Sequence, residues 1–155
     1  MDLMWFERPL PAQYHAPLGD AVLAGSAGVT PETPRAALPG AHAIMAGSRI
    51  RYPGAVMDLA PGLRVIARHG IGYDNVDVAA ATARGVLVTN TPDAPSIPTA
   101  EHTLALVLAA ARRITHSERS LRAAAKTDYF ATHDALELCG RPLAGGGLGR
   151  VGGRG

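Results

Sequence analysis

The 155-residue sequence predicts an α/β fold built on a parallel sheet, and three observations carry that prediction. Apolar runs without polar alternation, Leu63–Ala67 (LRVIA) and Val86–Thr89, have the pattern of strands buried on both faces. An Ala-rich helical stretch, Val76–Arg84, lies between them with short connections on both sides. The loop Arg68-His69-Gly70-Ile71-Gly72 follows LRVIA directly, and open α/β sheets bind ligands at the carboxyl ends of such strands.

The remaining elements follow in order. Leu3–Phe6 is a short apolar run ended by Glu7-Arg8-Pro9 and reads as a strand. Six prolines between Pro9 and Pro39 leave room only for a short helix near Ala12–Leu18 and a strand at Ala21–Ala24. Ala41–Ala46 is a further apolar run. Tyr52–Leu59 reads as a helix stopped by Pro61-Gly62. Asp74 or Asn75 can cap the Val76–Arg84 helix, and Gly85 stops it. Pro98 and Glu101 suit the first turn of a long helix reaching from Thr99 to about Arg113. That helix is apolar almost all round, so burial between layers or between subunits is expected. A more polar helix, about His116–Lys126, and a connector over 127–142 come next. Leu143–Gly155 then packs seven glycines into thirteen residues.

Composition narrows the function. Fifteen basic residues against thirteen acidic ones are too evenly matched to indicate a nucleic-acid or anionic-membrane partner. Aromatic residues are too sparse for a base-stacking platform. A single cysteine, Cys139, excludes an intrachain disulfide and a Cys-based metal cluster, so no metal site is expected. The longest apolar run, Leu104–Ala111, falls far short of the roughly 20 residues a membrane span needs. With no secretory signal at Met1-Asp2, a cytoplasmic location is expected.

In the glycine loop, Gly70 and Gly72 allow positive φ and let a ligand approach backbone N–H groups, which can form an anion nest. On spacing alone, a plain strand-to-helix turn is the simpler reading. The run Arg64–Asp77 (RVIARHGIGYDNVD), however, resembles the substrate-loop signature of the D-isomer-specific 2-hydroxyacid dehydrogenases. The likeness continues in order through Ala79–Arg84, Gly85, Asn90-Thr91-Pro92, Thr99–Thr103 and Leu104–Ala111, and ends at Gly147–Gly152.

That resemblance implies a flavodoxin-like or Rossmann-like substrate domain (1–97), interdomain and dimerisation helices with a connector (98–139), and an incomplete start of a Rossmann NAD-binding domain (140–155). It implies that the backbone of His69, Gly70, Ile71 and Gly72 holds a substrate carboxylate. Thr103 would lie near the nicotinamide. Gly147, Gly149 and Gly152, with Arg150 and Val151, would form the turn over the pyrophosphate of NAD, with NADP equally open. The expected partners are a small 2-hydroxy or 2-oxo acid and a second copy of the chain. Members with phosphorylated substrates often carry an Arg before the residue matching Ser48. Gly47 stands there instead, and the Arg follows as Arg49, which argues against a phosphorylated substrate.

Arithmetic limits the fingerprint. A βαβ unit needs about 30 residues, and its ribose-binding acid falls about 20 residues after the glycines. Only thirteen residues run from Leu143 to Gly155. Two glycines make Leu143–Gly146 a poor strand, and a frayed glycine tail is the expectation for this stretch. Hydride transfer also needs an acid/base and a cation at the carbonyl. In the family these are a His paired with a Glu, and an Arg, from the part after the fingerprint. No catalytic residue is therefore expected within this chain. The expectation is the front part of an NAD-dependent oxidoreductase, inactive alone. The alternative is a non-catalytic binding or dimerisation module derived from it.

Overall fold

The computed structural model describes residues 3–8, 11–23, 38–123 and 134–154. The expected strand end at Ala24, the helix end at Lys126 and the first part of the 127–142 connector fall outside them. Two compact units divide the chain, Met1–Ala94 and Pro95–Gly155.

In the first unit, β1 (Met4–Phe6), β2 (Val22–Leu23), β3 (Ala43–Ala46), β4 (Val65–Arg68) and β5 (Leu87–Thr89) form one sheet in the order β2-β1-β3-β4-β5. Every neighbouring pair is parallel; Trp5 stands opposite Ile44, Ile44 opposite Ile66, and Ile66 opposite Val88. The connections carry α1 (Ala12–His15) with a 3-10 turn at Ala16–Ala21, α2 (Gly54–Met57) and α3 (Val78–Ala83). This is the expected α/β architecture, and its strand order reverses direction between β1 and β3. Trp5, Leu38, Ile44, Ile50, Tyr52 and Ile66 are the largest fully buried side chains. β5 is an edge strand, and its Leu87 is 62% exposed.

Two helices are shorter than the sequence suggests, for one reason. Tyr52 and Val76 pair as an isolated parallel bridge. The Tyr52 N–H donates to the Asn75 carbonyl at 2.7 Å, and the Asp77 N–H donates to the Tyr52 carbonyl at 3.1 Å. Both segments therefore stay extended, so α2 starts only after Pro53 and α3 only after Asp77. The cap of α3 is accordingly Asp77, which accepts the Ala80 N–H at 2.8 Å, and not Asp74 or Asn75. Gly85, at φ +68°, ends the helix as expected.

The second unit holds α4 (Ser96–Ala111) and α5 (Ile114–Arg122). Pro98 sits in the first turn of α4, where its missing N–H costs no hydrogen bond. Arg113, in the left-handed region at φ 52°, separates the two helices. The expected burial of α4 is not met within the single chain: Ile97, Leu106 and Leu108 are each more than half exposed. Leu143–Gly146 forms no strand. Beyond it, Gly153 donates to Gly149 and Arg154 to Val151, so the glycine-rich stretch is a hydrogen-bonded turn and not a frayed tail. Among the described residues, no helix is long and apolar enough to cross a membrane, and no cluster of His, Cys, Asp or Glu could hold a metal ion.

Candidate functional site

Three loops leave the carboxyl ends of the central strands: Glu7 after β1, 47–50 after β3, and 69–72 after β4. The reversal between β1 and β3 is the usual ligand crevice of such a sheet. Here Glu7 fills it. Its carboxylate, in a side chain only 5% exposed, accepts the Gly47 N–H at 2.7 Å, the Arg49 N–H at 2.9 Å and the Tyr52 hydroxyl at 2.8 Å. These donors offset the cost of burying a charge. Burial, followed by the adjacent Glu7 carboxylate, pushes the Tyr52 phenol far above its ordinary pKa. Gly47 is tied to the same contact, because a Cβ there would lie 2.6 Å from Glu7 Oε1.

The β4 loop is arranged differently. Each of its first three carbonyls is held by a donor. The His69 carbonyl accepts from Arg68 Nη1 at 2.5 Å, the Gly70 carbonyl from the Thr91 N–H at 3.0 Å, and the Ile71 carbonyl from Asn90 Nδ2 at 2.9 Å. The His69 N–H donates to the Ala46 carbonyl, and the Gly70 N–H to Thr91 Oγ1 and the Arg68 carbonyl. Among the described residues, the N–H groups of Ile71 and Gly72 find no partner. The peptide units are thus fixed by their oxygens while two adjacent amides stay free at the surface, where Ile71 is 50% exposed. Such a nest suits one small anion. Gly70 is needed on two counts. Its φ is +140°, and a Cβ would come 3.1 Å from Arg68 Nη1.

Arg68 and Asn75 brace this loop from beneath. Arg68, 9% exposed, donates from Nε to Asn75 Oδ1 at 3.2 Å. Asn75 Nδ2 donates to the carbonyls of Gly47 at 3.0 Å and Ile50 at 2.7 Å. The β3 and β4 loops are therefore one network. A hollow of about 200 Å³ lined by Tyr73, Val78, Val88, Thr89 and Asn90 adjoins it.

In the second unit, Thr103 on α4 and Gly147, Val151 and Gly152 of the glycine turn line one cavity of about 290 Å³. Its walls are otherwise apolar, with Ala100, Leu104, Val107, Leu143 and Leu148. Gly149 and Arg150 lie in the turn but not in the wall. A Cβ on Gly152 would collide with the Gly147 carbonyl, so the turn closes only with glycine there. This close backbone approach fits the pyrophosphate-facing share of a dinucleotide site. The Thr103 hydroxyl donates to the Thr99 carbonyl at 2.8 Å. No acidic side chain lines the cavity, so the residues present fit that share only.

Of the site residues expected from sequence, His69, Gly70, Ile71 and Gly72 fall together on the β4 loop, and four of the six cofactor candidates share the second cavity. Among the histidines with described side chains, none is hydrogen-bonded to a carboxylate. His42 Nδ1 accepts the Leu3 N–H at 3.1 Å and so ties β1 to the start of β3. Glu7, Asn75 and Asn90 were not legible as site residues. The one signal for Glu7 is an acid placed directly after a buried apolar run.

A parallel sheet of this order, with a glycine loop carrying two unpaired amides after β4, defines a doubly wound α/β protein. The profile of the D-isomer specific 2-hydroxyacid dehydrogenase catalytic domain matches residues 19–144, and the chain belongs to that family. D-3-phosphoglycerate dehydrogenase of Mycobacterium leprae is 46% identical over 118 residues, 76% of this chain and 22% of that protein. Glyoxylate reductase of Pyrococcus furiosus is 41% identical over 102 residues, 63% of this chain and 30% of that one. A crystal structure of an NAD-binding D-isomer specific 2-hydroxyacid dehydrogenase from Polaromonas sp. JS6 66 superposes with a TM-score of 0.87 at 28% identity, covering 98% of this chain and 50% of the other. The chain thus spans under a third of these curated relatives and half of that solved chain.

Proposed function

We propose that this chain supplies the carboxylate-binding part of an NAD-dependent D-2-hydroxyacid dehydrogenase, and that its substrate is a small, unphosphorylated 2-hydroxy or 2-oxo acid. The observation that carries the reading is the pair of free N–H groups at Ile71 and Gly72 above three tethered carbonyls. The His69–Gly72 backbone is oriented before any ligand arrives, so little ordering entropy is lost when a carboxylate binds. Gly47 in place of an Arg before Ser48 favours the unphosphorylated class, and a Cβ at that position would meet the Glu7 carboxyl group, with Oε1 at 2.6 Å.

Thr103, Gly147, Gly149, Arg150, Val151 and Gly152 make up this chain's share of a nucleotide site for NAD or NADP. The Gly147–Gly152 turn would approach the pyrophosphate, and Thr103 the nicotinamide. The nicotinamide carries the hydride when bound. Within the chain, the loop binds and orients the acid. A histidine paired with an acid, the group that would move the proton, is not found among the described side chains. The chain by itself therefore binds without turning over, as the 1–97 substrate part, the 98–139 helices and the 140–155 start of a nucleotide domain.

The exposed apolar side chains of α4 favour association into a homodimer. The test of function is NADH oxidation by the purified chain with glyoxylate, hydroxypyruvate or pyruvate. The expected rate equals that of a protein-free blank, while calorimetry with glyoxylate shows saturable heat. Turnover above the blank, or no binding heat, contradicts the proposal.

A further inference from the structure

The residue that makes the β4 loop attract acids, we infer, is Arg68: its buried guanidinium has no carboxylate partner, and a bound anion is the counter-charge it lacks. This rests on the carboxylate reading of the loop and adds the source of its affinity. Buried charges in proteins are normally paired. Arg68 is 9% exposed, yet its partners are a neutral amide, Asn75 Oδ1, and a backbone oxygen, that of His69. Among the described residues, no carboxylate stands in an ion pair with it.

The one buried acid nearby, Glu7, is saturated by two backbone amides and a phenol. Gly70 lets the guanidinium come up under the loop, with Nη1 3.1 Å from where a Cβ would stand. Nη1 also holds the His69 carbonyl, so the cation both charges the loop and sets its first peptide. Arg68 is thus a positioning residue with an electrostatic role, one that costs stability in the empty chain and recovers it when an anion binds.

Arg68→Met separates that role from a purely structural one, because it keeps the apolar stem while removing the charge. Oxamate and its uncharged diamide, oxamide, are the probes, read by calorimetry and by thermal melting. The unaltered chain is expected to bind oxamate and not oxamide, and oxamate raises its melting temperature. Arg68→Met is expected to melt no lower than the unaltered chain without ligand. It should bind oxamate about tenfold or more weakly, the worth of one charge-assisted contact, and gain no melting temperature from it.

If the unaltered chain ignores oxamate, the carboxylate reading fails and this inference with it. If it binds oxamate and Arg68→Met binds equally well, the inference alone fails. An Arg68→Met chain that melts lower or does not fold shows Arg68 to be structural glue, which also overturns it.

Discussion

Tyr52 shows how a single side chain can serve core and site together. Its ring is fully buried, its backbone forms the bridge that delays α3, and its hydroxyl donates to Glu7. Burial first, and the Glu7 carboxylate second, raise the phenol far above its ordinary 10.0, so the folded chain does not release that proton as the pH rises. In the unfolded chain it is released near the ordinary value. The stabilising difference is therefore complete below about pH 10 and is lost as the pH rises beyond it, by at most about 1.4 kcal/mol per pH unit for one proton. In an alkaline titration, part of the tyrosinate absorbance should appear only as the chain unfolds, and Tyr52→Phe should remove that part. An unchanged curve for Tyr52→Phe would contradict this role. None of it was visible from sequence, where Tyr52 reads as the first residue of a helix; the partner that changes its role lies 45 residues away.

Strands and loops differ in how much of them the sequence disclosed. LRVIA and the Val86–Thr89 run were legible as continuous apolar runs, and β4 and β5 form within one or two residues of them; the central β4 fits burial on both faces, whereas β5 lies at the sheet edge with Leu87 exposed. The glycine loop was legible because positive φ and close approach require glycine at Gly70. What holds that loop was not. Asn75 and Asn90 act across gaps of 28 and 19 residues, and an asparagine in a loop reads as a turn former or a cap. Gly47 belongs with these. Its φ carries no strain, and what it accommodates is the Glu7 carboxylate, itself pinned by three donors. Gly47→Ala should therefore cost about 1–3 kcal/mol by overpacking, read as a lower urea midpoint with an unchanged slope. It should also weaken glyoxylate binding, since the Gly47 carbonyl anchors Asn75 and through it Arg68. A stability within a few tenths of a kcal/mol of the unaltered chain would show that Glu7 moves freely.

At the scale of the molecule, the apolar helix α4 and the β4 loop point to different kinds of partner. Ile97, Leu106 and Leu108 expose 55%, 56% and 53% of their surface in the single chain, and exposed apolar side chains of this kind favour self-association. Sedimentation velocity at micromolar concentration should show a dimer that Leu106→Glu shifts toward monomer; a monomer throughout would contradict that expectation. The loop is the proposed site of a small acid, and its two free amides can be watched directly. In a 15N-labelled sample titrated with glyoxylate, the largest saturable shifts are expected at the Ile71 and Gly72 N–H groups, while Ile44 and Ile66 in the core stay still. Glyoxylate that leaves Ile71 and Gly72 unmoved, or shifts other amides more, would contradict the proposed carboxylate site.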